Sequence, residues 1–417
     1  MLIADQYKDV AGSNHPLARR MAVIAFLTNN ITIGTLWGSF SVLLSTVETR
    51  LGVGRELSTL GVPVVNLTMA VCAPIVGVIA TRYSLRLLMV IGAILSTAGF
   101  ALLAASSSYP LYLLGYGLLL GPGMAIGVIL PPTLVTRWFI KNRGRALGIV
   151  CTPVVVALVP LASSWTLQSF GLTVTYWSLA GMSAIAVMAN LFIVDHPPGD
   201  EANSPQAESA TQTPSDGTLG VTLGVADLLR SPRLWALSLA AVASMTSSII
   251  LTAHMVPMAA TWGYSTTLAA TLLSVQALSG IAGTVLFGWV ADRIGCVNAL
   301  ALIVFDGAAL WMLLLLQPPV PLMAILVGLI GLHGAGVLPV LGLVLSEAFG
   351  RVNFSRAYGL SNMLSLPFSV MCVPAAAIVY TKTGSYAGAI VGQVIFFLIA
   401  VVLALSTRRR SAVLATA

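Results

Sequence analysis

The stretch TRWFIKNRGRALG, residues 136–148, sets Arg137, Lys141, Arg143 and Arg145 between two long apolar runs. Four cations cannot rest in hydrocarbon, and in membrane proteins Lys and Arg collect in cytoplasmic connections. The stretch therefore reads as a cytoplasmic loop joining two spans. A fainter copy, EAFGRVNFSRAYGL, stands at residues 347–360, where Arg356-Ala357-Tyr358-Gly359 parallels Arg145-Ala146-Leu147-Gly148, 211 residues earlier. GVIATR from Gly77 and GWVADR from Gly288 are also 211 residues apart. Two landmarks with one offset imply an internal duplication.

Composition agrees with a membrane setting. The 417 residues are 58% hydrophobic and 8% charged, whereas a soluble domain carries about 25% charge. The apolar residues arrive in blocks of about 20, the length a helix needs to cross a bilayer. Twelve spans are expected. Six lie at about 20–47, 57–80, 86–106, 109–136, 146–169 and 173–194, and six at about 234–260, 266–291, 297–317, 320–346, 357–380 and 385–406. With this count, seventeen of the 20 Lys and Arg fall on one side, leaving Arg50, Arg55 and Lys382 on the other. Both termini are then cytoplasmic. The same placement explains the net charge of +7 without a nucleic-acid partner. Cys72, Cys151, Cys296 and Cys372 have no CxxC spacing and read as small packing residues, with no disulfide or metal site. No short apolar leader with a small-residue cleavage site precedes the first span.

Residues 196–230 include PPGDEANSPQAESATQTPSDGTLG, rich in Pro, Ser, Thr and Gly. Such a segment buries too little apolar surface to fold alone, so it is expected to be a flexible cytoplasmic linker. It separates residues 1–195 from residues 231–417, each expected to form a six-helix bundle.

GWVADRIG at 288–295 resembles the loop signature of the major facilitator superfamily. The first-half copy reads GVIATRYSLR, with Thr81 where the family usually has Asp. Residues 137–149, with Trp138-Phe139 and Arg145-Ala146-Leu147-Gly148-Ile149, resemble the monocarboxylate and oxalate/formate branch. So do Arg233-Leu234-Trp235 and His254-Met255-Val256-Pro257. The resemblance implies an all-α membrane protein of twelve transmembrane helices in two six-helix bundles. It also implies a pathway lined by the first, fourth, seventh and tenth helices. That branch commonly holds its carboxylate with an Arg in the eighth helix and, in oxalate carriers, a Lys in the eleventh. Those positions fall near Thr284 and Ser365 here, and neither helix has a Lys or Arg in its interior.

Candidate site residues follow from polarity inside apolar spans. Asn30, Gly34, Trp37 and Ser41 share one face of the first span, as substrate contacts or as hydrogen-bonding residues between helices. The fourth span carries Gly121-Pro122-Gly123 and Pro131-Pro132, and its counterpart, the tenth, carries Gly331, Gly334, Gly336 and Pro339. Such interruptions suggest discontinuous helices lining a cavity, or packing through small residues. His254, Gln276, His333, Asn362 and Ser365 complete the substrate-binding set, with a packing role as the alternative for both histidines. Asp306 is the one acid deep within a span, which makes it a candidate for proton coupling, or else a protonated bond to a neighbouring helix. Arg137, Arg143, Arg145, Asp292 and Arg293 read as gating latches between helix ends, or as topology anchors.

No Walker-type phosphate loop, HExxH or GxSxG is present, which argues against an ATPase or a hydrolytic enzyme. The expected protein is a secondary active transporter of a small organic anion, monocarboxylate-like, without cofactor, with the proton as candidate coupling ion. It is expected to work as a monomer in the lipid bilayer of a bacterial inner membrane. Efflux of a hydrophobic or cationic compound is the alternative, raised by the missing Arg and Lys. A membrane sensor built on a carrier scaffold is a third.

Overall fold

The computed structural model describes residues 16–139, 142–197 and 222–414, and no strand occurs among them. Lys8, Lys141 and most of the expected linker (198–221) lie outside the described residues, as does the side chain of Ser41.

The apolar blocks form helices. They are α1 (Pro16–Leu51), α2 (Gly61–Ile79), α3 (Leu85–Ala105) and α4 (Tyr109–Trp138). α5 runs as Arg143–Val150 and resumes as 154–170, and α6 is 172–190. Next come α7 (Pro232–Thr261), α8 (Thr266–Ile294) and α9 (Cys296–Leu315). α10 is 320–349, α11 is 351–383 and α12 is Ala387–Leu414. Local chemistry sets several ends: Ser84 and Ser265 accept from the N–H groups of Leu87 and Leu268, capping α3 and α8.

Ten continuous runs among the described residues are long and apolar enough to cross a membrane. Two of them, Arg143–Asn190 and Val320–Thr383, span 48 and 64 residues. At 1.5 Å per residue the longer would reach about 96 Å, some three hydrocarbon thicknesses. Each run is divided by a glycine in a conformation closed to most residues, Gly171 (φ 81°) and Gly350 (φ 74°). These two breaks separate the ten observed runs from the twelve expected spans.

The expected discontinuities in α4 and α10 are corrected by the structure. α4 stays helical through Gly121, Pro122, Gly123, Pro131 and Pro132, apart from one π turn at Gly115–Leu120. α10 stays helical through Pro339. Their glycines serve close approach instead. A Cβ on Gly127 would strike Thr32, one on Gly331 the backbone of Gln276, and one on Gly334 the side chain of Ser248. The interruption that does occur is at 151–153, where Pro153 cannot donate into the helix.

The contacts divide the chain into two compact units. Unit 1 holds the described residues of Met1–Lys141, Val150–Val225 and Phe349–Met363; unit 2 holds Asn142–Ile149, Ala226–Ala348 and Leu364–Ala417. Inside unit 1, α1 packs on α4 and on the 154–190 helices, and α4 also packs on α2 and α3. An aromatic core of Tyr112, Tyr116, Tyr176 and Phe100 fills the centre. Inside unit 2, α12 packs on α7 and α9. Burial runs opposite to that of a soluble protein: Leu67, Val71, Leu118, Trp165, Phe305 and Val402 are exposed, while Asn29, Asn30, Asn190, Ser247 and Gln276 are buried. Apolar outside and hydrogen-bonded polar inside is the arrangement lipid demands.

Candidate functional site

In unit 2 the first turn of α5 meets the end of α8. The Asp292 carboxylate accepts from the backbone N–H groups of Gly144 (2.8 Å) and Arg145 (3.0 Å). It thereby satisfies two donors left open at a helix start, and its charge opposes the positive end of the helix dipole. Backbone approach makes this possible. A Cβ on Gly144 would strike the Gly288 carbonyl, one on Gly288 the Gly144 carbonyl, and one on Gly148 the Thr284 carbonyl. Nearby, the Arg143 guanidinium donates to Ser346 Oγ (3.1 Å) and the Cys296 thiol to Glu347 (2.8 Å). The Arg293 guanidinium lies 4.0 Å above the Trp289 ring. Arg145 contributes its backbone, its side chain being exposed.

Unit 1 contains the counterpart, shifted by the same 211 residues. A Cβ on Gly359 would strike the Ala73 carbonyl, as Gly148 meets Thr284, and Ser355 donates to the Gly77 carbonyl (3.1 Å), as Gly144 meets Gly288. Thr81 takes the place of Asp292: its hydroxyl accepts from the Arg356 guanidinium (2.7 Å). Arg356 also donates to the Leu223 carbonyl (2.7 Å), while Asn353 accepts from the Leu223 N–H (2.8 Å). One helical turn thus grips both backbone groups of Leu223. Arg137 donates to the Ala80 carbonyl (3.0 Å) and lies 3.4 Å from His196.

Asp292→Ala is expected to weaken the seating of residues 142–149 by about 1–2 kcal/mol, the usual worth of a lost helix cap. A cysteine introduced at buried Ala146 should then alkylate roughly 5–30 times faster. An unchanged rate would mean that the glycine contacts alone hold the segment.

Asn30 is buried at the interruption in α5. Its Oδ1 accepts from the Val155 N–H (3.2 Å), and its Nδ2 reaches the carbonyls of Val150 (3.5 Å) and Phe26 (3.2 Å). Val154 turns to Thr152 (3.0 Å), so the side chain of Asn30 replaces helix bonds lost at the break. Two neighbouring residues, absent from the expected set, tie α1 elsewhere. Asn29 donates to the Gly127 carbonyl (3.2 Å), and Thr28 to Asn190 (2.6 Å), which in turn donates to the Met89 carbonyl (3.0 Å). The signal that could have found them is the polar run Thr28-Asn29-Asn30 within an apolar span. Trp37 is 37% exposed.

In unit 2, His254 Nε2 lies 3.0 Å from the Val373 carbonyl and Nδ1 lies 3.3 Å from the Tyr386 hydroxyl. A carbonyl only accepts, so Nε2 carries the proton and Nδ1 accepts from Tyr386. Burial, then the neighbouring Tyr380, raises the Tyr386 phenol above its ordinary value and keeps it a donor. Gln276 donates to the Ser248 carbonyl (3.3 Å) and accepts from Thr252 (3.4 Å), joining α8 to α7. Asn362 donates to the Tyr358 carbonyl (2.9 Å) in its own helix, and Ser365 lies one turn on, half-buried. His333 and Asp306, on different helices, come together with Nδ1 3.5 Å from Oδ2.

A duplicated bundle of helices, apolar toward its surroundings and hydrogen-bonded within, defines a multi-pass integral membrane protein. The family model for the Major Facilitator Superfamily matches residues 25–305 and 237–416, and the chain belongs to that superfamily, whose members are transporters and not enzymes. It is 22% identical to the MFS-type transporter YcxA of Bacillus subtilis over 85% of this chain and 87% of that one. It is 26% identical to monocarboxylate transporter 13 of Bos taurus over 76% of this chain and 72% of that one. The crystal structure of the Escherichia coli fucose:proton symporter FucP shares the fold, with TM-score 0.69, 13% identity, and coverage of 91% of this chain and 97% of that one.

Proposed function

We propose that this protein is a secondary active transporter of small monocarboxylate-like organic anions, coupled to protons and working by alternating access. The observation that carries the reading is the similarity to monocarboxylate transporter 13 over three quarters of the chain, reinforced by the RALG loop and the His254-Met255-Val256-Pro257 run. Residues 1–195 and 231–417 are the two moving halves, joined by the flexible cytoplasmic linker 196–230. The protein acts as a monomer in a bacterial inner membrane, with both termini cytoplasmic, supported by the distribution of Lys and Arg.

In this scheme residues 142–149 and 349–363 are the latches. Each follows the other half of the sequence in its contacts, held by Asp292 in one case and by Thr81 with Leu223 in the other. Arg137, Arg143 and Arg293 brace the helix ends around them. Trp37, Asn362 and Ser365 contact the substrate. Asn30, Gln276 and His254 position the helices that carry it.

Uptake of radiolabelled lactate and pyruvate into proteoliposomes tests the proposal. Saturable uptake, stimulated when the lumen is alkaline, is expected. Efflux of hydrophobic or cationic compounds is the second reading, favoured by the lack of Lys and Arg in the interiors of α8 (266–291) and α11 (357–380). Resistance to such compounds on expression, with no carboxylate flux, would establish it and overturn the first.

A further inference from the structure

His333 is completely buried, and its Nδ1 lies 3.5 Å from Asp306 Oδ2. Among the described residues neither ring nitrogen has a partner in hydrogen-bonding geometry. The imidazole stands edge-on to Phe397 at 5.9 Å, and Phe397 in turn covers Gly307. α9, α10 and α12 therefore meet around one carboxyl and one imidazole. Asp306 is 37% exposed, on a helix built to face lipid.

Other ionisable groups on the surrounding helices are remote. α9 has only Cys296, at its start, besides Asp306. On α10 the next is Glu347, 14 residues beyond His333, or about 21 Å of helix. α12 has none between 387 and 407, and α8, which α10 approaches at Gly283 and Phe287, carries only Asp292 and Arg293, in its last turn. α7, which meets α9 where Trp311 donates to Ser247 (2.7 Å), carries Arg233 at its start and His254, already engaged by Tyr386 and Val373.

A lone carboxylate within a span costs about 2.5–3.5 kcal/mol, and a lone buried imidazolium also pays for desolvation. Together, with one proton between them, they are neutral wherever that proton sits. Adding or removing a proton leaves a net charge in a medium that disfavours it. The two groups consequently bind protons as one unit.

We infer that Asp306 and His333 form a shared-proton site, and that this pair is where the coupling proton binds, an assignment that rests on the proton-coupled reading above. His333 sits among Gly331, Gly334 and Gly336, through which α10 closely approaches α7 and α8. A small slide of α10 against α9 changes the separation of imidazole and carboxyl, and with it the hold on the proton. His333 is then a proton ligand and not a substrate ligand.

Two measurements on the full chain test this. With 15N-histidine in nanodiscs, the four histidines are assigned by single substitutions. Asp306→Asn is expected to move the titration of His333 by more than about one pH unit and to leave that of His254 in place. Superimposable His333 curves overturn the site. Should Asp306→Asn not assemble, the 13C-carboxyl titration of Asp306 in the native protein and His333→Gln meets the same criterion. In proteoliposomes, Asp306→Asn and His333→Gln are expected to lose lactate accumulation driven by a pH gradient while keeping lactate exchange at equal pH. Gradient-driven accumulation that persists in both variants overturns the coupling role. A native protein that exchanges lactate but ignores the gradient refutes the proton-coupled reading instead, and the titration then decides the site alone.

Discussion

Leucine in place of Gly283 is expected to cost about 3 kcal/mol or more, the upper range for overpacking a close-packed interior, and to leave little folded transporter in the membrane. Gly283 lies on α8 where α10 passes, and a Cβ there would strike the Leu332 carbonyl, with the carbonyl carbon and Cα behind it at 2.6 and 2.8 Å. The obstacle is backbone, which cannot rotate aside as a side chain can. Gly331, on the facing helix, is in turn pressed on the Gln276 backbone, so the two helices would have to part along more than a turn. Gly392→Leu supplies the comparison, because nothing lies within 4 Å of the position its Cβ would take on α12. Thermal unfolding followed by size-exclusion chromatography should show Gly392→Leu close to the native protein and Gly283→Leu strongly destabilised. Equal melting temperatures for the two would refute the close α8–α10 contact.

Which features were legible in the sequence depended on whether their causes were local. The 211-residue offset was visible in the text of the chain because each loop copy keeps its small residues and cations within a few positions. The structure puts that offset to use, with Gly148 on Thr284 and Gly359 on Ala73. Asp292 and Arg143 were recognisable because charges stand out at helix ends. The partners were harder. That Asn30 serves a break 120 residues away depends on how α1 and α5 are laid together, which no local pattern encodes. Leu223 escaped notice for a different reason: Asn353 and Arg356 grip its backbone, so its side chain carries no trace of the contact. The Gly and Pro residues of α4 and α10 misled because one composition suits either a broken helix or a close crossing. Which applies is decided by neighbours such as Thr32 and Ser248. The joining of Asp306 to His333 was likewise invisible, since each lies alone in its own span.

Asn30→Ala is expected to rank next to Gly283→Leu in effect, through polar satisfaction rather than volume. The side chain supplies an acceptor to the Val155 N–H and a donor toward the Val150 carbonyl, both beside the interruption at 151–153. Water cannot replace those bonds at a site where Asn30 is only 1% exposed. Each stranded group costs about 1–3 kcal/mol, so a loss of about 2–4 kcal/mol is expected, with the residual protein fraying at α5. Thr35→Val separates this effect from a general intolerance of changes in α1. The Thr35 hydroxyl is as deeply buried, but it bonds the Ile31 carbonyl of its own helix (2.7 Å), and the helix keeps its own bond there when the hydroxyl goes. That variant should lose no more than about 1.5 kcal/mol, the net worth of one ordinary hydrogen bond. Hydrogen exchange at Val155 provides the local readout: its amide should be protected in the native protein and in Thr35→Val, and exposed in Asn30→Ala. Continued protection in Asn30→Ala would show that the break in α5 is held closed by packing and not by the amide of Asn30.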